Sequence, residues 1–252
     1  MQTNTFYAIY ILWLRQIKRY FRSKSRIVGS LGQPLLFLVA LGFGLNSVFK
    51  ASGEGNYIQF LSPGIIAMSI LFTAIFSGIE IIWDRQFGFL KETLVAPVSR
   101  FTIMFGRTLG GATVASFQGI LVLIISVIIG FRPELSSILP AIIFMILISF
   151  VFTALGTAIA SILEDMQGFH LIMNFVVMPV FFLSGSLFPL DTAPSVLKWI
   201  AIFNPLTYGV DGLRSALIGV SHFSVWTDFA VLVIVATIFV SIGAWLFSKI
   251  KV

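Results

Sequence analysis

The sequence predicts an all-α membrane protein. It has six transmembrane helices, an N-terminal interfacial helix, a short cytoplasmic helix after the second span, and outer re-entrant half-helices between spans five and six. Three observations carry this. Six stretches of at least twenty residues, 27–49, 55–79, 108–131, 135–163, 166–190 and 229–248, hold no Asp, Glu, Lys or Arg. One crossing of the bilayer core takes roughly 20 apolar residues, and in hydrocarbon the backbone must satisfy itself within a helix. Second, the 252 residues are 58% hydrophobic and 10% charged, where soluble domains carry about 25% charge. That excludes a soluble globule and leaves no room for a second domain. Third, twelve of the 16 Lys and Arg fall on one side of the spans. These are Arg15, Lys18, Arg19, Arg22, Lys24 and Arg26, then Arg85, Lys91, Arg100 and Arg107, then Lys249 and Lys251; Lys50, Arg132, Lys198 and Arg214 lie on the other. The positive-inside rule puts both termini in the cytoplasm.

Residues 1–26 read as a cytoplasmic interfacial helix and 27–252 as one six-span domain. On the first helix, Phe6, Tyr10, Trp13, Ile17 and Tyr20 share a face, with Arg15, Lys18, Arg19 and Arg22 mostly off it. That pattern suits a helix lying in the headgroup region. It is not a signal peptide, because its apolar stretch precedes the positive charges. The spans run at about 27–49, 58–82, 107–130, 138–162, 168–184 and 228–248. The first outer turn, Lys50 to Asn56, contains Ser-Gly-Glu-Gly. Gly106-x-x-x-Gly110 at the start of the third span is a weak helix-packing signal. Arg132-Pro133-Glu134 makes an outer turn and Glu164-Asp165 an inner one. The fifth span is short and interrupted by Pro179.

The segment 185–226 is too long for a turn and too apolar for a solvated loop. Asp191 or Thr192 can cap a helix with Pro194 in its first turn, and Asn204 can cap a second beginning at Pro205. Each is too short to cross. Together, at about 190–220, they read as outer half-helices.

The chemistry-bearing residues are few. There is no phosphate-binding G-x-x-x-x-G-K-[ST] loop, no catalytic set, and no metal site; His170 and His222 stand far apart without ligand spacing. His170 reads as a polar residue near the inner end of the fifth span and His222 as a solvated loop residue. The absence of cysteine excludes disulfides and thiolate ligands. The basic residues all flank spans, so nucleic acid is not the expected partner. Glu80, an ionisable residue at membrane depth, is a candidate for a transport path. Alternatively it snorkels to the interface, or pairs with Arg85 or Arg107. Gln118 and Asn174 either line a path or hydrogen-bond between helices. Within 84–106, Phe87, Leu90, Leu94 and Val98 form an apolar stripe on a short helix stopped by Pro97, with Arg85, Lys91 and Glu92 off it. Such a helix is a docking knob for another protein.

Leu61-Ser62-Pro63-Gly64, then Arg85-x-x-Gly88 and Leu90-x-Glu92-x-Leu94-x-Ala96-Pro97-Val98-Ser99-Arg100, resemble the signature of type-2 ATP-binding-cassette export permeases. That family includes daunorubicin-resistance, nodulation-factor and polysaccharide exporters. Ser184-Gly185-x-x-Phe188-Pro189-Leu190 followed by Asn204-Pro205-Leu206-Thr207-Tyr208, Asp211 and Leu213-Arg214 resembles its second landmark. Asp84 and Gln86 stand where such permeases often have Glu. The resemblance implies a non-enzymatic subunit of a prokaryotic cytoplasmic membrane. It implies a homodimer of twelve spans that binds two cytoplasmic ATPase subunits, with ATP and magnesium on those partners and no cofactor here.

It further implies a coupling helix at about 84–100, with Arg85, Phe87, Gly88, Leu90, Glu92, Leu94 and Pro97 as its ATPase-coupling residues. Gly185, Pro189, Asn204, Pro205 and Tyr208 would shape an outer gate. The expected cargo is amphipathic: lipid-like, a drug or a glycan. A charge at Leu90 or Leu94 is expected to release the ATPase while leaving the permease inserted. The competing expectation is a carrier driven by an ion gradient through Glu80. Such carriers often show internal repeats, and none is visible here.

Overall fold

The structure, a computed structural model, describes residues 5–51 and 55–249. Ser52 to Glu54 of the first outer turn, and Lys251 of the tail, lie outside the described residues. Helix α1 (Thr5–Arg22) leads into α2 (Lys24–Gly44) and a short α3 (Asn46–Ala51). The second span is divided into α4 (Tyr57–Phe76) and α5 (Ile79–Gln86), with α6 (Phe89–Val95) after it. Next come α7 (Arg100–Ile129) and α8 (Ile138–Ile162), the latter preceded by a 3₁₀ turn. The predicted fifth span is α9 (Met166–Ile172), a π turn (Met173–Val177) and α10 (Met178–Phe182). Then follow α11 (Ser195–Phe203), α12 (Pro205–Ile218) and α13 (Val225–Ser248). Among the described residues the regular structure is entirely helical.

Among the described residues, five helical segments are long and apolar enough to cross a membrane: Lys24–Gly44, Tyr57–Gln86, Arg100–Ile129, Leu135–Ile162 and Val225–Ser248. The predicted fifth span, Met166–Phe182, falls short of that measure with 17 residues, about 26 Å at 1.5 Å rise each. Pro179 explains its irregularity. Its missing N–H and its ring disfavour a regular turn over Phe175, and here Met178 N–H reaches back five residues to the Met173 carbonyl.

Helix α4 is the centre of the bundle, ringed by α2, α7, α8 and α12. Every residue from Leu61 to Leu71 on it is buried, as expected of a helix apolar on all sides. Asn56 caps it through Ile58 N–H at 3.0 Å. The third helix starts about two turns before its expected point, because Ser99 caps it through Thr102 N–H at 3.1 Å.

Close approach between helices depends on small residues. A Cβ on Gly106 would lie 3.0 Å from Leu12 Cβ, and one on Gly110 would lie 2.6 Å from Gln16 Cβ. The Gly106-x-x-x-Gly110 pattern is thus the seat of α1 on α7. The buried side of α1 is Gln16 and Tyr20, while Phe6 and Tyr10 of its expected aromatic face are exposed.

Two further expectations are corrected. The expected single inner helix is two, α5 and α6, joined at Gly88 with φ +80°, a left-handed conformation that favours glycine. Helix α11 is not capped by Asp191 or Thr192: Pro194 occupies the cap position without a side-chain bond. Asp191 instead pairs with His222 at 2.6 Å, so His222 is not merely solvated. Thr192 Oγ1 donates to the Pro189 carbonyl.

Candidate functional site

Glu80 and Asp84 stand one turn apart on α5, so they project from the same face. Both are buried, 4% and 3% exposed. Buried carboxylates need counter-charges, and four arginines from three other helices supply them. From α1, Arg15 reaches Asp84 at 3.0 Å and Arg19 lies 3.6 Å from Glu80 and 3.9 Å from Asp84. From α2, Arg26 reaches Glu80 at 3.0 Å. From α7, the buried Arg107 reaches Asp84 at 2.6 Å. Arg19 also sits over the Trp83 ring, 5.3 Å from its centroid. Of the pairings expected for Glu80, neither is present: Arg107 is taken by Asp84, and Arg85 leaves α5 on another side. In sequence, Arg15, Arg19 and Arg26 mark topology, and Arg15 and Arg19 also the polar side of the first helix, with no counter-charge role visible. The signal that could have found their role is the i, i+4 carboxylate pair beside a charge-free span.

Arg85 donates through Nη1 to the Leu163 carbonyl at 2.8 Å and through Nη2 to the Ser161 carbonyl at 2.9 Å. Both lie at the C-terminal end of α8, where backbone carbonyls lack helical partners and a cation complements the helix dipole.

Beyond Gly88, the expected docking stripe is split. Leu90 is 2% exposed and turned into the bundle, with Leu94 and Val98 packed behind it. Phe87, Phe89 and Val95 are exposed, Val95 at 81%. Lys91, Glu92 and Pro97 are exposed beside them. The outward surface here is therefore Phe87, at the end of α5, with Phe89, Lys91, Glu92 and Val95 of α6. Leu90 anchors the helix from inside. A charge at Leu90 would disturb packing, so it does not isolate docking as the sequence reading supposed.

At this basic end a cavity of about 630 Å³ opens between α1, α2, α4 and α5. Its lining combines Arg26, Ser30 and Gln33 with Met68, Phe72 and Trp83. Tyr20, which also lines it, donates to Gln118 Oε1 at 2.7 Å, so Gln118 ties α7 to α1. Burial pushes the Tyr20 phenol above its ordinary value, which keeps it a donor. Asn174 sits on the π turn and is exposed, apart from Glu80 and Gln118. His170 is exposed in the last turn of α9.

At the opposite end the expected gate residues come together around α12. Asn204 caps α12 through Leu206 N–H at 3.0 Å and donates to the Val180 carbonyl at 2.6 Å. Pro205 takes the first helical position. Tyr208 donates to the Ile202 carbonyl at 2.8 Å and stacks on Phe223. Gly185 has φ +75°, and its carbonyl accepts from Arg214 at 3.1 Å. Pro189 lies in the same turn. The two sequence landmarks touch here: a Cβ on Gly64 would lie 2.3 Å from the Ser186 carbonyl oxygen, and Tyr57 donates to the Leu187 carbonyl at 2.8 Å. Arg214 and Asp211 were noted only as parts of a landmark. Arg214 lies over Phe60 at 4.0 Å, and Asp211 holds His222 and Phe223 N–H groups.

Among the described residues no group of three or more His, Cys, Asp or Glu could hold a metal. The arrangement is one of helix contacts, cavities and exposed docking faces.

Known proteins place these features. The family model described as ABC-2 type transporter matches residues 7–218. A putative transport permease ycf38 of Cyanophora paradoxa is 29% identical over 98% of this chain and 91% of its own length. Nodulation protein J of Rhizobium leguminosarum bv. trifolii is 28% identical over 83% of this chain and 78% of its own. The inner membrane transport permease YadH of Escherichia coli K12 is 26% identical, covering 90% and 89%. The match runs through both landmarks, the ion cluster on α5 and the helix pair beyond it. The chain belongs to the ABC-2 type transporter family and is a multi-pass membrane transport permease.

Proposed function

We propose that this chain is the permease subunit of an ATP-driven exporter, working as a homodimer with two copies of a separate cytoplasmic ATPase. The observation that carries the reading is α6. With Phe87 at the end of α5 beside it, it presents Phe89 and Val95 to the outside, with Lys91 and Glu92 at the rim, and an apolar centre with a charged rim is the anatomy of a protein interface. The ATPase supplies ATP and magnesium chemistry, and the ABC-2 family typically works with such a subunit. On this reading the basic end and both termini are cytoplasmic and Met166–Phe182 is the remaining crossing. The exposed Asn174 amide then faces the second copy, since hydrocarbon offers it no partner. The cargo is amphipathic, drug, lipid or glycan in kind. The cavity near Arg26 supports this by joining a guanidinium and hydroxyls to an aromatic wall.

The ion-gradient alternative rested on Glu80. Its carboxylate is taken up by Arg19 and Arg26, so it is not presented to a path, and no observation favours that reading. The test is to purify the chain from its host under gentle solubilisation and identify what accompanies it. A phosphate-loop ATPase is expected, and Val95→Asp should lower its recovery about tenfold, as loss of an interface anchor does, with insertion and melting unchanged. Full recovery with both Val95→Asp and Phe89→Asp would overturn docking through α6.

A further inference from the structure

We propose that Arg85 is a positioning residue that makes α5 and the inner end of α8 one body, so that displacement of α6 is delivered to α8 and to α13 packed on it. The inference rests on the exporter reading above and adds to it the route by which motion leaves the docking helix.

The argument is the unlike attachment of the two sides of α5. On the α8 side α5 is held to the α8 backbone at two points, one backbone against backbone and one through a side chain. At the start of α5, a Cβ on Gly78 would lie 2.3 Å from the Gly156 carbonyl oxygen, and one on Gly156 would lie 2.7 Å from the Ile75 carbonyl oxygen. The two backbones touch there, with no side chain between them to yield. Seven residues on, about 10 Å along the helix, Arg85 takes two terminal carbonyls of α8 at 2.8 and 2.9 Å. A guanidinium offers its donors as a rigid fork, so two bonds from one side chain fix direction as well as distance. Two separated points hold a rod against rotation where one would allow it to pivot.

On the α1 and α2 side the contacts are ion pairs between side chains. The guanidiniums of Arg15, Arg19 and Arg26 are 41%, 35% and 31% exposed. Arg19 stands 3.6 and 3.9 Å from its two carboxylates, beyond the reach of a good hydrogen bond. Each carboxylate has more than one guanidinium beside it, so a partly exposed one can exchange with water while another keeps the buried charge paired. When α6 is pushed, the contacts with α1 and α2 yield and α8 follows, while the buried Arg107–Asp84 pair keeps α7 on α5.

The chain has no cysteine, so introduced thiols give unique labels. One spin-label pair, Lys91→Cys with Ile162→Cys, spans α6 and the end of α8. A second, Lys91→Cys with Lys18→Cys, spans α6 and α1. In the nucleotide-bound complex with its co-purified ATPase, the first distance should stay fixed and the second should change. In the permease alone, Arg85→Gln should broaden the α6–α8 distribution. Arg85→Lys, which keeps the charge but reaches only one carbonyl, should broaden it less. Transport per ATP hydrolysed should fall about tenfold in Arg85→Gln, a coupling loss of ordinary size.

The proposal is overturned if Arg85→Gln leaves the α6–α8 distribution as narrow as the parent, or if the α6–α8 distance changes with nucleotide as much as the α6–α1 distance. A glutamine variant that cannot be recovered folded leaves the lysine variant to decide by the same distribution. If no ATPase is recovered at all, the exporter reading fails, while the permease-alone measurement still decides whether Arg85 joins α5 to α8.

Discussion

At the basic end, α5 meets α1 and α2 through charged side chains on both sides of each contact, with one buried pair, Arg107–Asp84, to α7. At the opposite end, α12 and the 183–190 turn meet their neighbours chiefly through backbone carbonyls: Gly185 to Arg214, Val180 to Asn204, Leu187 to Tyr57. A side chain bonded to a side chain has two sets of rotamers through which to rearrange. A side chain bonded to backbone has one, and the carbonyl it holds is fixed by its own segment. The first kind of contact suits helices that change partners, and the second suits a plug of set shape. The Gly64 contact makes the same point by packing, since the Ser186 carbonyl lies where any side chain would begin.

The largest expected effect is at the basic end, at its one fully buried pair. Asp84→Asn leaves the Arg107 guanidinium, 3% exposed, without its counter-charge, and should cost about 3–5 kcal/mol. Denaturation in mixed detergent checks this, and adding Arg107→Met should restore most of the loss. An Asp84→Asn protein as stable as the parent would mean that the cluster does not hold α5. Next is Gly64→Ala, which forces a methyl group against the Ser186 carbonyl and should cost about 1–3 kcal/mol by overpacking. A neutral result would show that the 183–190 turn gives way, and that the outer end is softer than its bonds suggest. The smallest effect is Arg15→Gln, since an exposed ion pair contributes about 0.2–1 kcal/mol. A larger loss there would join Arg15 to the buried part of the cluster and blur the contrast between ends.

The helices were legible where periodicity and charge-free length are decisive. The fourth span, at 138–162, coincides with α8. Asn204-Pro205 marked the start of α12 correctly because a cap and a first-turn proline are local signals. The break at Ser77–Gly78 was not legible, because its cause is the backbone of Gly156, 78 residues away in sequence. The same limit applies to the site. Which face of the 87–98 segment turns inward depends on what packs beneath it, so the stripe through Leu90 reads as a docking face in sequence and is an inward anchor in the fold. Glu80 could be recognised as unusual at membrane depth. Arg85 and Arg107 are the partners expected for it, and only tertiary geometry brings Arg19 and Arg26 to it instead.

The π turn at Met173–Val177 bears on how this chain should be aligned with its relatives. Along a regular α-helix each residue advances by about 100°, so positions four apart drift steadily around the axis. Phe169, Met173, Val177 and Phe181 are all buried, although in an unbroken helix the last would lie about 120° from the first. The π turn absorbs nearly one residue's worth of that rotation and brings the four back into line. It is a one-residue insertion stored in place. A relative lacking it would present the same inward row with one residue fewer, and a one-residue gap opened within 173–177 is a structural event rather than an alignment error.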